Sequence, residues 1–231
     1  VFSIDFSPDE INIIDFYSLE QYCPLYFKNQ SEYFKSNTKM LNERLCSGFF
    51  ERALNTLNKK IPELYSLVRF FIKVVVVNQL EKYTNGTNEN TIGLSIMDFK
   101  DEFNEMDFVE LLVHQLTHML YFMSNHIDKH ISYKNMNIMI PTKYQFILGG
   151  NSFPAYLAFH SYLVAIEILM FRYRIGSLDI EQAYHGSTNR IIDIANELAT
   201  QISKHIYLFT PAGKSIFKDS INCLESLRSI I

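Results

Sequence analysis

Two histidines four residues apart, His114 and His118, are the residues of this sequence best suited to chemistry. They enclose Gln115 and lie within the apolar run from Phe108 to Met123. In an α-helix, positions four apart differ by about 400° of rotation, so both imidazoles project from one face and can bind one metal ion. The spacing therefore predicts a helix that carries a two-histidine metal clamp.

Gln115 limits the chemistry that such a metal could support. In the zinc-peptidase motif H-E-x-x-H, a glutamate occupies this position and takes a proton from the metal-bound water. An amide cannot accept that proton, and loss of a general base typically lowers the rate by about 10²- to 10⁴-fold. We count Gln115 as a candidate catalytic residue in a site where the metal, and not a carboxylate, activates the reactant.

A first-row metal needs at least one protein ligand beyond a histidine pair. His160 is the candidate, because it is the only histidine of the next long apolar segment, where an imidazole needs bonded nitrogens. Glu167, seven residues further on, could be a fourth ligand or could orient His160. His126 and His130 repeat the four-residue spacing among polar residues, and we expect both to be exposed to solvent.

Each of these residues also has a structural interpretation without a metal. Histidine pairs at this spacing arise by chance, and His160 could be a hydrogen-bonded histidine of the core. Glu167 could pair with Arg172 or Arg174.

The elements around these residues follow from apolar periodicity and from helix-start signals. We expect Asp101 or Asp107 to cap the histidine helix. The β-branched run Phe70–Val77 and the segment Thr91–Met97 predict two strands before that helix. Further helices are predicted at 8–27, 38–57, 155–173, 181–206 and 211–227. This order predicts a predominantly helical α+β fold, with a zincin-like metal helix next to a small β-sheet.

Length and composition favour one soluble domain over residues 1–231, with a helical N-terminal part to about residue 65 and the metal-site part after it. Hydrophobic residues make up 48% and charged residues 20% of the chain. The net charge of −4 gives no reason to expect nucleic acid as a partner. Three dispersed cysteines, no signal peptide and no apolar run of membrane-spanning length predict a cytoplasmic protein without a membrane partner.

The succession of motifs resembles the HExxH-motif proteins of bacterial peptide natural-product (RiPP) gene clusters. The matching segments are Leu111–His118, Phe153–His160 and Thr210-Pro211-Ala212-Gly213-Lys214. The resemblance covers roughly residues 70–225. It implies a peptide β-hydroxylase that depends on Fe(II) and 2-oxoglutarate, with His160 as the third metal ligand and a peptide as the substrate.

Two positions depart from that family. Gln115 replaces its glutamate, and Phe153 stands where an arginine commonly precedes the proline. An arginine would be a natural partner for the distal carboxylate of 2-oxoglutarate. Other basic residues could replace it: Lys143, Arg172 and Arg174. Arg172 lies about 18 Å beyond His160 along the helix, so Lys143 is the better candidate.

Three functions are consistent with the sequence. The first is an Fe(II)/2-oxoglutarate oxygenase that hydroxylates a peptide or amino-acid side chain and whose strand Thr91–Met97 could pair with an extended peptide. The second is a non-catalytic peptide- or partner-binding protein of the same fold. The third is a protein that resembles zinc metallopeptidases, with zinc as the metal, and that lacks the glutamate base.

Overall fold

The computed structural model describes residues 11–14, 38–39, 43–80, 86–87, 89–98, 100, 102–143 and 151–230. These residues are mostly helical with small sheets, which confirms the predominantly helical α+β class. The chain divides into two compact units, a first unit of Val1–Met119 and a second unit of Leu120–Ile231. The single domain over residues 1–231 stays a prediction.

The first unit contains a four-stranded sheet and three helices that begin in it. The strands are β1 (Asn12–Ile14), β2 (Thr38–Lys39), β3 (Val74–Leu80) and β4 (Leu94–Asp98). The helices are α1 (Glu43–Lys60), α2 (Pro62–Phe71) and α3 (Glu105–Ile127), of which α3 continues into the second unit. Strand β3 is central: it pairs in parallel with β1 and β4 and antiparallel with β2.

The β-branched run explains why β3 lies at the centre of this sheet. Val74 to Val77 are all buried, as in a strand covered on both faces. The strand begins four residues later than the predicted Phe70, because Phe70 and Phe71 complete helix α2 and the Ile72 N–H still bonds to the Val68 carbonyl at 2.8 Å. The second predicted strand is β4, shifted by a few residues.

The second unit packs three helices, α4 (Ala155–Arg174), α5 (Thr188–Lys204) and α6 (Pro211–Arg228), with α4 against both others. Two short hairpins accompany them, β5 (Met139–Pro141) with β6 (Ser152–Pro154) and β7 (Glu181–Gln182) with β8 (Gly186–Ser187). A 3-10 turn covers Ile206–Leu208. Among the described helices only α4 is long and apolar enough to cross a membrane, and 67% of that stretch is buried, as in a core helix of a soluble protein.

Several local predictions need correction. Asn12–Ile14 and Thr38–Lys39 are strands where helix was predicted, while residues 8–10 and 15–27 lie outside the described residues. Residues 181–187 form the β7–β8 hairpin, so the predicted helix 181–206 begins only at Thr188. Ser187 caps the helix at this start, because its hydroxyl accepts a hydrogen bond from the Arg190 N–H at 3.3 Å. The helices predicted at 155–173 and 211–227 are confirmed as α4 and α6.

Candidate functional site

Helix α3 positions the histidine pair, and a capping box fixes where this helix begins. The Asn104 side chain accepts hydrogen bonds from the N–H groups of Met106 and Asp107 at 2.7 and 3.2 Å. In return, the Asp107 carboxylate accepts from the Asn104 N–H at 2.9 Å. The predicted cap at Asp101 or Asp107 was therefore wrong: Asn104 is the cap and Asp107 is its reciprocal partner three residues later.

The His114 and His118 imidazoles lie side by side on one face of α3, as their spacing predicts. Their Nε2 atoms are 2.7 Å apart, and the ring centroids are separated by 4.5 Å. Two imidazoles bound to one tetrahedral metal at about 2.0–2.1 Å would hold their nitrogens roughly 3.3 Å apart. A chelate would therefore require a small rotation of the rings and both Nε2 atoms free of protons.

Gln115, between the two histidines, is fully buried, and neither its Nε2 nor its Oε1 has a hydrogen-bond partner. By contrast, the next polar residue of the helix is satisfied locally, since the Thr117 hydroxyl donates to the Val113 carbonyl at 2.8 Å. Gln115 therefore offers an uncommitted amide beside the histidine pair and no group that could take a proton.

His160 lies in α4, within the second unit, and is buried. Its ring stacks on Tyr121 at a centroid distance of 4.4 Å and meets the edge of Phe122 at 4.9 Å. Burial lowers the pKa of His160 to about 3, so the imidazole is neutral at physiological pH. Among the described residues, no group of three His, Cys, Asp or Glu side chains has the arrangement of a metal site. His160 as a third ligand stays a prediction, and Glu167 is exposed on α4.

His130 corrects the expectation that the second histidine pair is exposed. His126 is exposed, but His130 is only 1% exposed, because α3 ends at Ile127 and the chain turns inward after it. The His130 Nε2 lies 3.0 Å from the Ser124 hydroxyl, and its backbone N–H donates to the Asn125 side chain at 3.0 Å. Burial lowers the pKa of His130. The polar neighbours of His130 in the sequence gave no signal of this burial.

The three basic residues predicted to bind the cosubstrate lie in different surroundings within the second unit. Arg172 is fully buried and donates to the carbonyls of Ile180 and Gly186 and to the Thr188 hydroxyl, at 3.2, 2.9 and 3.1 Å. Both terminal nitrogens of this guanidinium thus hold the β7–β8 hairpin, which favours a structural role. Arg174 is exposed, and the exposed Lys143 amine lies 3.6 Å from a Glu197 carboxylate oxygen.

The segment Thr210–Gly213 has a structural task in the second unit. Thr210 caps α6 by accepting from the Gly213 N–H at 3.2 Å, and its hydroxyl also contacts the carbonyls of Lys129 and His130. The Thr210 N–H donates to the His130 carbonyl at 3.0 Å. A Cβ at Gly213 would overlap that same carbonyl oxygen. The threonine and the glycine of this motif therefore join the start of α6 to the loop after α3.

The outer edge of β4, predicted to receive an extended peptide, is already occupied at two positions. Ile96 exchanges backbone hydrogen bonds with Gly86 at 2.9 and 2.8 Å, and the Leu94 carbonyl accepts from the Thr87 hydroxyl at 2.9 Å. A peptide would have to displace this segment before it could pair with β4. The edge of β4 is therefore not favoured as a peptide-binding site.

No protein-family model matches this chain, and no curated protein matches it by sequence.

Proposed function

We propose that this protein is a cytoplasmic Fe(II)- and 2-oxoglutarate-dependent oxygenase that hydroxylates a peptide or amino-acid side chain, in the maturation of a peptide natural product. The observation that carries the proposal is the convergence of the His114 and His118 Nε2 atoms at 2.7 Å on one face of α3. The substitution of the hydrolytic base by Gln115 supports an oxygenase over a hydrolase, because such an oxygenase needs no base on the metal helix.

The reaction consumes one O₂ and one 2-oxoglutarate for each substrate C–H group, and it yields the alcohol, succinate and CO₂. Bound iron(II) would supply the oxidative chemistry. His114 and His118 would bind it through Nε2 as neutral imidazoles, which requires that each ring carries its one proton on Nδ1. Gln115 would hydrogen-bond within the site without taking a proton, and His160 is proposed as the third ligand.

The distal carboxylate of 2-oxoglutarate needs a cation, and the proposal assigns it to Lys143 or Arg174. Both side chains are exposed, whereas Arg172 uses both terminal nitrogens in the second unit. Lys143 keeps a long, 3.6 Å ion pair with Glu197, and its side chain is 81% exposed, so exchange of this partner for another carboxylate costs little.

A second candidate is a non-catalytic protein that binds a peptide or another protein. Phe153, which stands at the position of the arginine in the family that the sequence resembles, favours this candidate. It is 7% exposed and lies in the β5–β6 hairpin, where it pairs with Ile140. A buried aromatic side chain cannot hold a carboxylate, so the cosubstrate site that the resemblance implies has lost one of its parts.

Metal analysis separates the two candidates. Protein purified without chelators is analysed for iron and zinc, and the apoprotein is titrated with Fe(II) and then with 2-oxoglutarate under anaerobic conditions. We expect about one metal ion per chain and a visible charge-transfer band when 2-oxoglutarate is added. His114→Ala and His118→Ala should abolish both, whereas His126→Ala, at an exposed histidine of the same helix, should change neither.

Two outcomes would contradict the proposal. A wild-type protein that takes up no metal would rule out the oxygenase and leave the binding protein. A protein that binds iron but gives no band with 2-oxoglutarate would rule out this cosubstrate.

A further inference from the structure

His130 joins the loop after α3 to the start of α6 within the second unit. Its carbonyl accepts from the Thr210 N–H at 3.0 Å and from the Thr210 hydroxyl at 3.1 Å. One residue further along the loop, Ile131 pairs with Phe209 in an isolated β-bridge. We call these contacts the His130 latch, because they hold two segments together that are about 80 residues apart in the sequence.

The imidazole of His130 is hydrogen-bonded through only one of its two nitrogens. Its Nε2 lies 3.0 Å from the Ser124 hydroxyl, whereas the buried Nδ1 has no hydrogen-bond partner among the described residues. The ring lies against the aromatic rings of Tyr121 and Phe159, at centroid distances of 5.0 and 6.0 Å. A neutral imidazole tolerates this environment, but an imidazolium would carry a charged Nδ1–H group with no acceptor.

The charged groups that act on His130 belong to its own loop. Burial is the largest influence and lowers the pKa of His130, while Asp128 raises it and Lys129 lowers it. From the elements packed against the ring, the described titratable side chains are Tyr121 on α3 and, in contact with the same Tyr121 ring, His160 on α4. Asp128 is exposed, so its carboxylate is accessible to an imidazolium that leaves the interior.

We propose that the His130 latch is an acid-sensitive switch: when His130 takes up a proton, its side chain moves out to solvent and Asp128, and residues 128–132 separate from the start of α6. The rest of the second unit stays folded. The open form binds the proton with ordinary affinity, whereas the closed form offers its Nδ1–H no acceptor, so acid favours the open form. The inference does not depend on the proposed metal chemistry, because the latch contains none of the proposed ligands.

Native-state hydrogen exchange of the intact, metal-free protein tests the switch, because the Thr210 N–H donates directly to the His130 carbonyl. Exchange is followed by NMR at about pH 7.5 and about pH 5, and the rates are corrected for the intrinsic effect of pH. If the open form has the ordinary histidine pKa of 6.5, the opening equilibrium should rise by up to about thirtyfold. At the lower pH the Thr210 amide should exchange with a smaller opening free energy than Leu198, a buried residue of α5.

Three variants separate a switch from a purely structural contact. His130→Gln is neutral at both pH values, so its Thr210 amide should lose most of the pH dependence. Asn125→Ala removes the side chain that accepts from the His130 N–H at 3.0 Å and leaves the imidazole unchanged. It should speed exchange at both pH values and keep the dependence of the wild type. His126→Gln, at an exposed histidine of α3, should behave like the wild type.

Three outcomes would overturn the inference. The first is a wild-type Thr210 amide with the same corrected opening equilibrium at both pH values. The second is a His130→Gln protein that keeps the full dependence. The third is an equal opening free energy for Thr210 and Leu198 at the lower pH, because the latch would then open only together with the whole unit. If His130→Gln does not fold, the wild-type comparison of Thr210 with Leu198 decides alone.

Discussion

A spacing of four residues brings two histidines together only where the helix continues through both of them. His114 and His118 lie in the middle of α3, and their Nε2 atoms meet at 2.7 Å. His126 and His130 have the same spacing, but α3 ends at Ile127 between them. Both belong to the second unit, and His126 remains on its surface while His130 is buried in it. The functional meaning of such a pair depends on where the helix ends.

The burial of His130 makes stability depend on pH. Its pKa in the folded protein lies below the ordinary value of 6.5, because burial disfavours the charged imidazolium. Above pH 6.5 both folded and unfolded chains hold it neutral. As the pH falls below 6.5, the unfolded chain binds the proton more readily, so the free energy of unfolding falls.

We expect His130→Gln to lose less stability than the wild type between about pH 7.5 and pH 5, as measured by urea unfolding of the metal-free protein. His126→Gln, at an exposed histidine, should follow the wild type. Burial lowers the pKa of His160 to about 3, and this residue contributes the same pH dependence to the stability of all three proteins. Parallel curves for His130→Gln and the wild type would show that His130 is not buried as described.

Gly213 is required by a close approach of two backbone segments. Because a Cβ there would overlap the His130 carbonyl oxygen, Gly213→Ala should destabilise the protein by about 3 kcal/mol. Gly48, in α1, is the control: among the described residues, an added Cβ would meet the end of the Arg52 side chain, at 3.4 Å. Gly48→Ala should therefore stabilise by about 0.5–1 kcal/mol, as expected for alanine in a helix. Similar unfolding free energies for both variants would contradict the close approach.

At the scale of the elements, local signals predicted the helices better than their starts and contacts. Apolar periodicity after a proline was enough for α4 and α6, because those signals lie within the helices themselves. The start of α3 was misjudged because three candidate caps compete within seven residues, and the reciprocal bonds of Asn104 and Asp107 decide between them.

Contacts between distant segments could not be predicted from the sequence. The buried His130 is bonded at its carbonyl by Thr210, which is 80 residues away in the sequence. The closed edge of β4 likewise depends on Gly86, in a segment that composition indicates only as a loop. Residue types and spacing predicted the common face of the histidine pair, since that feature is local to one helix.

Arg172 shows how one side chain can hold an entire hairpin. Its guanidinium is the buried donor for two carbonyls and one hydroxyl of residues 180–188. Arg172→Met should leave these acceptors unsatisfied and lower the free energy of unfolding by about 3 kcal/mol or more. Arg174→Met, two residues along the same helix but exposed, should change it by less than about 0.5 kcal/mol. Chemical denaturation of both variants measures the difference, and equal losses would contradict the structural role of Arg172.

At the scale of the whole molecule, the boundary between the two compact units falls inside α3, after Met119. Both histidines of the pair lie in the part of α3 that belongs to the first unit. A metal ion that binds the folded chain and not the unfolded chain must stabilise the fold by mass action. The thermal stability of the intact protein is thus a direct readout of the clamp.

At about 100 times the dissociation constant, bound metal should contribute roughly 2.7 kcal/mol. For a chain of this length that corresponds to a rise in melting temperature of about 5–10 °C. We expect Zn(II) or Co(II) to produce this rise relative to protein in a chelator, as measured by calorimetry. His118→Ala should lose the rise because one imidazole cannot chelate, while His126→Ala should keep it. A rise that survives in His118→Ala would locate the metal elsewhere in the chain and would separate the histidine pair from the proposed function.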